Sequence, residues 1–349
     1  MQTHPTQRKP MKLRNLHIEN YKMFKDFDIS FVDENDKALP IIVLAGVNGS
    51  GKTTLLEYIH KTDFSVNFQK NQNQNNLEVE DKGKIFNSNE KLFKIESLYG
   101  EARKNLTPIK KILPKYIENM IFVDGIAHFD SYKEVTEYIN EILKDLDTQI
   151  EFDSRDGEGN LFFRNKSGGG KFSIDELSTG EKTLMSKVLY LHFRKIKNKI
   201  ILIDEPELSL HPSWQNKVLK IYENFAKKND CQIIIATHSP HIIGSAKSEY
   251  IRLLVKEDDK IKVVDNFTNT YGLKFSQILT EVMGVEHLRP VEVDRQLSKV
   301  KSMIVQNEYD SDEFKKEWNA LEELLGKEYL ELKLLKVEIA SRRKNVSSK

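Results

Sequence analysis

The chain has 349 residues, which is longer than one average domain and enough to bury a large core. Its formal net charge is +1 although 31% of its residues are charged, so the chain as a whole has no electrostatic attraction to nucleic acid or membranes. Cys231 is the single cysteine, which excludes an internal disulfide framework and a zinc site built on several thiolates.

The sequence also lacks the features of a membrane or exported protein. No segment reaches the ~18 apolar residues that a membrane span needs. Residues 1–14 contain basic side chains but lack the apolar core of a signal peptide. We therefore expect a cytoplasmic protein with no membrane partner, in which Cys231 is a buried structural thiol.

The first part of the chain predicts strands that lead to a glycine-rich loop. Residues 11–19 and 25–32 alternate apolar and polar side chains, which predicts a hairpin of two half-buried strands. Residues 41–45 form a continuous apolar run, which predicts a buried central strand. The run leads directly into a glycine-rich segment, residues 46–53, and then into a helix.

The next part of the chain is more polar. Residues 64–92 are rich in Asn, Gln, Lys and Glu, which favours an exposed insertion. We expect the insertion as a whole to extend to about residue 118. Beyond it, the patterns predict a strand at residues 121–123, an amphipathic helix at 131–145 and two strands at 149–152 and 161–164.

The second half alternates helices with apolar strands. Continuous apolar runs at residues 199–203 and 232–236 predict buried strands. This alternation favours an α/β fold with a mainly parallel sheet. The other predicted elements are helices at 181–195 and 213–227, a hairpin at 250–255 and 261–264, and helices from about residue 273 to the end.

The glycine-rich segment, residues 46–53, matches the P-loop pattern G-x-x-x-x-G-K-[ST] between a strand and a helix. Glycines let backbone N–H groups approach phosphates closely, and the helix N-terminus adds the positive end of its dipole. Lys52 would place a cation on the β- and γ-phosphates, and Thr53 would supply a hydroxyl to Mg²⁺. The predicted nucleotide contacts are Asn48, Gly49, Ser50, Gly51, Lys52, Thr53 and Thr54.

Acidic and imidazole groups follow the two later buried strands. Asp204 ends the first of them, where its carboxylate can hold Mg²⁺. Glu205 would point toward the γ-phosphate and polarise the attacking water. His238 follows the next strand and can orient that water, although a lone histidine is more often structural.

Residues 177–182, Leu-Ser-Thr-Gly-Glu-Lys, contain a fourth motif. Ser178 and Glu181 have the spacing of a capping box at a helix start, and a helix cap alone is the simpler interpretation. The functional interpretation is a helix N-terminus that directs Ser178 and the Gly180 backbone at a phosphate on another subunit.

With these motifs in this order, the chain resembles ABC-type ATPase heads over residues 11–265. The resemblance implies a P-loop NTPase head at residues 1–270, with a mixed central sheet and N-terminal antiparallel strands, followed by a helical region at 271–349. In that family two heads pack head to tail around two ATP molecules. Ser178 and Gly180 of one chain would then complete the other chain's site, in a homodimer or a larger homo-oligomer.

Residues 204–212, Asp-Glu-Pro-Glu-Leu-Ser-Leu-His-Pro, resemble the OLD-like ATPases of the AAA15 and AAA21 type. Residues 16–31 resemble the first hairpin of these proteins and of RecF- and SMC-like proteins. Residues 271–290 and 323–332 are similar to ATPases paired with an HNH nuclease in Septu-type and some retron defence systems. The resemblance implies an ATPase subunit, using ATP and Mg²⁺, that controls a separate effector such as a nuclease.

Two alternatives stay open. A RecF- or SMC-like ATPase would clamp DNA in an ATP-dependent way, which the near-neutral charge disfavours. A transporter subunit would need a Q-loop glutamine, and the sequence does not identify one, since Gln69, Gln72 and Gln74 lie in a polar stretch typical of a solvated loop. Lys22, in the first hairpin, is a further candidate for a phosphate contact.

The C-terminal region contains one pair of acidic residues with the spacing of metal ligands. Asp310 and Asp312 resemble the Asp-x-Asp of a Toprim nuclease, but apolar residues at helical spacing follow them. We therefore predict that Ser311 or Asp312 caps a helix. The basic end of the chain, residues 341–344, is interpreted as a solvated helix end, with docking or nucleic-acid contact as the alternative.

Overall fold

The computed structural model describes residues 12–62, 76–81, 84–87, 95–97, 109–145, 149–156, 160–177, 179–193, 196–208, 210–265, 267 and 270–347. The chain divides into two compact units, Met1–Ile278 and Leu279–Lys349. None of the helices in these ranges is both long enough and apolar enough to cross a bilayer.

The strands of the described ranges all belong to the first unit. They are β1 (Lys12–Tyr21), β2 (Phe24–Ser30), β3 (Ile41–Ala45), β4 (Asn76–Asp81), β5 (Lys84–Asn87), β6 (Ile95–Ser97), β7 (Ile150–Arg155), β8 (Leu161–Asn165), β9 (Phe172–Ser173), β10 (Ile200–Asp204), β11 (Gln232–Ala236), β12 (Ile251–Glu257) and β13 (Lys260–Val264).

The longer helices occur in both units. They are α1 (Lys52–Thr62), α2 (Ile109–Phe122), α3 (His128–Asp145), α4 (Thr179–Phe193), α5 (Pro212–Lys228), α6 (Pro240–Ser245), α7 (Val291–Val305), α8 (Asp312–Leu325) and α9 (Leu330–Ser347). A short helix, Phe275–Gln277, continues into a π-helical turn, Ile278–Val282.

The central sheet has the order β13-β12-β3-β11-β10-β6. Its neighbouring strands are parallel except for β12 and β13, which form an antiparallel hairpin. Every residue of β3 and β11 is buried, as expected for strands covered on both faces. The predicted α/β fold with a mixed central sheet is confirmed.

An antiparallel sheet of order β2-β1-β4-β5 combines the hairpin that precedes the P-loop with two strands from the predicted insertion. Sequence reasoning did not predict the strands inside residues 64–92, where β4 pairs with β1 and places Val79 opposite Leu13. β6 also pairs with β10 at the edge of the central sheet. The sequence of β4, Asn-Leu-Glu-Val-Glu-Asp, does alternate, but the polar composition around it concealed that signal.

The predicted strand at residues 121–123 is wrong, because α2 extends to Phe122. Tyr116, Ile117 and Met120 are buried at helical spacing, whereas Phe122 and Val123 are 83% and 75% exposed. A short apolar run cannot distinguish a strand from a helix end by periodicity alone. The helix buries the earlier apolar positions and leaves this run in solvent.

Gln232, in β11, links the central sheet to the antiparallel sheet that contains β1. Its side chain is fully buried, and its Oε1 accepts a hydrogen bond of 2.7 Å from the Leu13 backbone N–H. Its Nε2 donates to the carbonyls of Leu13 and Leu39, both at 3.0 Å. One amide side chain thus satisfies three buried backbone groups at the junction of two sheets.

The second unit has its own apolar core. Ser311 caps α8, since its side chain accepts a 3.1 Å hydrogen bond from the Phe314 N–H, which confirms the predicted cap. Asp312 is exposed and paired with Lys315. The core side chains come from three helices and the turns between them, and they include Leu297, Val300, Ile304, Tyr309, Phe314, Trp318, Leu321, Leu332 and Leu335.

Candidate active site

The site lies at one edge of the central sheet, where three neighbouring strands end. The parallel strands β3, β11 and β10 lie side by side, so the segments that follow them meet at the same edge. The P-loop follows β3, Glu205 follows β10 and His238 follows β11. The crossovers of the fold therefore gather three motifs that are distant in the sequence.

Close approach requires glycine at two positions of the P-loop. Gly46 has a φ of 144°, and an added Cβ would lie 2.7 Å from the Leu254 carbonyl oxygen. Gly51 has a φ of 95°, and its Cβ would lie 2.8 Å from the Met23 sulfur, in the turn between β1 and β2. Both backbone angles favour glycine. The absence of a side chain at these positions lets the loop pack against β12 on one side and the first hairpin on the other.

Lys52 is the first residue of α1 and is buried. Its Nζ donates to the carbonyls of Gly46 and Val47 at 2.8 and 2.9 Å. Burial lowers the pKa of its ammonium, and neighbouring carboxylates, Asp204 first among them, act in the opposite direction. A buried ammonium held by neutral carbonyls at a helix N-terminus fits an anionic phosphate ligand.

Thr53 and Asp204 come together across the site. The Thr53 hydroxyl donates to the two Asp204 carboxylate oxygens at 3.0 and 3.3 Å. A hydroxyl beside a carboxylate is a set of hard oxygen donors that fits Mg²⁺. Ser50 is buried in the loop, Thr54 is half-buried, and Asn48 and Gly49 are exposed where an incoming nucleotide could reach them.

Glu205 follows β10 directly and has a φ of 46°, a left-handed conformation that is uncommon for a non-glycine residue. Its N–H donates to the Ala236 carbonyl at 2.8 Å. Its Oε1 lies 3.4 Å from the Nδ1 of His238, and both side chains are partly exposed. The structure therefore places the two proposed water-handling groups side by side.

Sequence reasoning missed Glu207. Its carboxylate is buried, and its Oε1 accepts hydrogen bonds from the Thr237 hydroxyl at 2.6 Å and from the His238 N–H at 3.0 Å. The sequence signal that could have found it is the second glutamate of Asp-Glu-Pro-Glu, close to the predicted catalytic residues. Glutamate is rarely buried unless it has a partner.

Other predicted residues are less well defined. Ser178, Gln69, Gln72 and Gln74 lie outside the described residues. Gly180 is buried in the first turn of α4. Lys22 donates to Glu57 at 2.8 Å, so a carboxylate already engages the cation proposed as a phosphate contact.

Comparisons with known proteins agree with this geometry. Residues 11–106 match the family described as "AAA ATPase domain", AAA_15, and residues 116–244 match AAA_21, "AAA domain, putative AbiEii toxin, Type IV TA system". The chain is 30% identical over 158 residues to the "Retron Vc95 probable ATPase" of Vibrio cholerae, covering 42% of this chain and 30% of that protein.

Two further relatives match shorter stretches. The "Septu protein PtuA" of Bacillus thuringiensis is 36% identical over 114 residues, covering 31% of this chain and 28% of that protein. The "OLD nuclease" of Thermus scotoductus is 32% identical over 133 residues, covering 34% and 25%. The matches thus span less than a third of each of these three relatives. Both matched family models describe AAA domains, and one of them is named an ATPase domain.

Proposed function

We propose that this AAA_15/AAA_21-type ATPase, a relative of retron, Septu and OLD proteins, assembles head to tail on Mg²⁺-ATP and controls a separate effector in bacterial defence. The observation that supports it most is the gathering of Lys52, Thr53, Asp204, Glu205 and His238 at one sheet edge. The reaction is ATP + H₂O to ADP and phosphate.

Each residue of the site has a proposed part in that reaction. Lys52 and the P-loop backbone bind the phosphates, and Thr53 with Asp204 would hold Mg²⁺. When bound, Mg²⁺ neutralises charge on the phosphate oxygens. Glu205 accepts a hydrogen bond from the attacking water, and His238 orients that water.

The proposed assembly depends on the start of α4. Gly180 lies in the first turn of this 15-residue helix, whose backbone N–H groups can bind an anion. The P-loop already supplies one helix N-terminus, that of α1, to the phosphates. We propose that α4 of a second copy, with Ser178 and Gly180, supplies another, so that ATP links the two heads.

The effector is proposed to be a nuclease on another polypeptide. The Asp310 and Asp312 pair, which has the spacing of metal ligands, flanks the helix cap Ser311, and Asp312 is paired to Lys315. In the described ranges, one group of three metal-binding side chains lies close together, His17, Asp26 and Asp28, and both aspartates are exposed. Neither arrangement resembles a built nuclease centre.

The test is to purify the Glu205→Gln protein together with the protein encoded next to it, with Mg²⁺-ATP or with Mg²⁺-ADP. We expect capture or release of that neighbour to depend on ATP, and DNA cleavage by the complex to change with it. Copurification that never yields a nuclease or another toxic partner contradicts the proposal. Salt- and ATP-dependent duplex binding by the isolated chain would instead favour the DNA clamp.

A further inference from the structure

We infer that Glu207 is a positioning residue of the ATPase site, which holds the backbone and the ring of His238 at the end of β11. The inference rests on the proposed role of His238 in orienting the attacking water. Glu207 itself is not proposed to touch the nucleotide or the water.

The first support is the contact between Glu207 and the β11 end. Only 6% of Glu207 is exposed, yet it carries a carboxylate. One oxygen receives both the Thr237 hydroxyl, at 2.6 Å, and the His238 N–H, at 3.0 Å. Burying a carboxylate is costly unless donors compensate it, so these two donors fix the position of the strand end.

The second support is the environment of the His238 ring. Its Nδ1 is buried and lies 3.4 Å from Glu205 Oε1 and 3.6 Å from Glu207 Oε1. Both carboxylates can accept a hydrogen bond from an N–H at this ring position. The side chain is 40% exposed although Nδ1 is buried. The opposite edge of the ring, which carries Nε2, is therefore the part that can face the attacking water.

The third support is an oxygen without a hydrogen bond. Within the described part of the chain, Glu207 Oε2 is buried and has no hydrogen-bond partner, and the same is true of His238 Nδ1. Buried polar atoms without a hydrogen bond are rare in folded proteins, and a role in catalysis is one explanation for them.

A hydrogen-bonded chain extends this contact to the loop after β10. The Thr237 hydroxyl accepts from the Ser239 N–H at 2.9 Å, and the Ser239 hydroxyl donates to Gln215 at 2.6 Å. Gln215 then donates to the Leu210 carbonyl at 3.0 Å. The loop that carries Glu207 and the strand end that carries His238 are thereby joined into one unit.

Glu223 provides a matched control. It is also a buried glutamate, 8% exposed, and it accepts from a hydroxyl, that of Tyr250, at 3.0 Å. The ammonium of Lys227 lies 2.6 Å away, so Glu223 has a conventional cationic partner. A glutamine at either position keeps the size of the side chain and removes its charge.

The test compares Glu207→Gln with Glu223→Gln for kcat, KM, ATP affinity and thermal stability. Loss of the group that positions the water-orienting His238 should lower kcat of Glu207→Gln about tenfold or more, with ATP affinity within about threefold. Glu223→Gln should keep kcat within about twofold even if it melts earlier. Thr237→Val, which removes one donor to Glu207, should show a smaller loss of kcat and serves if Glu207→Gln does not fold.

The decisive comparison adds His238→Ala. If Glu207 acts through His238, Glu207→Gln should cause no further loss of kcat in the His238→Ala background. An equal loss in both backgrounds, or a wild-type kcat for Glu207→Gln, overturns the inference. A wild-type kcat for His238→Ala contradicts the proposed role of His238 itself, and a slow Glu207→Gln protein in that case also shows that Glu207 does not act through the ring.

Discussion

The hydroxyl of Thr53 lies 3.0 Å from a carboxylate oxygen of Asp204, although 151 positions separate the two residues in the chain. The contact forms because the P-loop leads from the end of β3 into α1, and β10 ends two strands away at the same sheet edge. It brings together the two oxygen donors that the proposed site needs for Mg²⁺.

Substitutions of Thr53 test that donor pair. Thr53→Val removes the hydroxyl at almost constant volume, so we expect the Mg²⁺ concentration for half-maximal ATPase activity to rise about tenfold or more. Thr53→Ser keeps the hydroxyl and is the matched control, with an expected change below about threefold. A magnesium titration of the ATPase rate measures both, and equal curves for valine and serine would contradict the assignment.

Lys52 is expected to contribute mainly to ATP affinity. Lys52→Ala removes the buried ammonium that contacts the P-loop carbonyls. Loss of a charge-assisted contact of about 1.5–3 kcal/mol corresponds to roughly 10- to 150-fold weaker binding. Lys61→Ala, in the last turn of the same helix, is the control and should bind ATP normally. Equilibrium binding of a fluorescent ATP analogue distinguishes the two, and an unchanged affinity for Lys52→Ala would exclude this role.

Gln232 is expected to support the fold rather than the chemistry. Gln232→Leu would leave backbone groups of Leu13 and Leu39 without this partner, at a cost of about 2–4 kcal/mol in the free energy of unfolding. Gln306→Leu changes a glutamine on the exposed end of α7 and should cost less than about 0.5 kcal/mol. Urea unfolding measures the difference, and similar midpoints would show that the junction does not depend on Gln232.

Local sequence patterns predicted the centre of the fold well, because it depends on long apolar runs. The apolar runs at residues 41–45 and 232–236 predicted covered strands, and β3 and β11 occupy those residues. The P-loop spacing likewise predicted the position of Lys52. These features are encoded locally, so one sequence is sufficient to find them.

The parts that were missed depend on contacts distant in the sequence. β6 is three residues long, and pairing with β10 defines it more than its own pattern does. The run at residues 121–123 became a helix end because α2 buries a different face. Glu207 was overlooked because its partners, Thr237 and the His238 backbone, become visible only when two strands are placed side by side.

We propose that ATP joins two heads and that Glu205 drives the reaction that separates them. The most direct measurement is the mass of the Glu205→Gln protein by light scattering, with and without Mg²⁺-ATP. We predict a stable ATP-dependent increase to at least a dimer, together with ATP hydrolysis slowed about 100-fold or more. Adding Ser178→Arg should abolish that increase while ATP binding persists. A Glu205→Gln protein that hydrolyses ATP at the wild-type rate, or whose mass does not change with ATP, would contradict the claim.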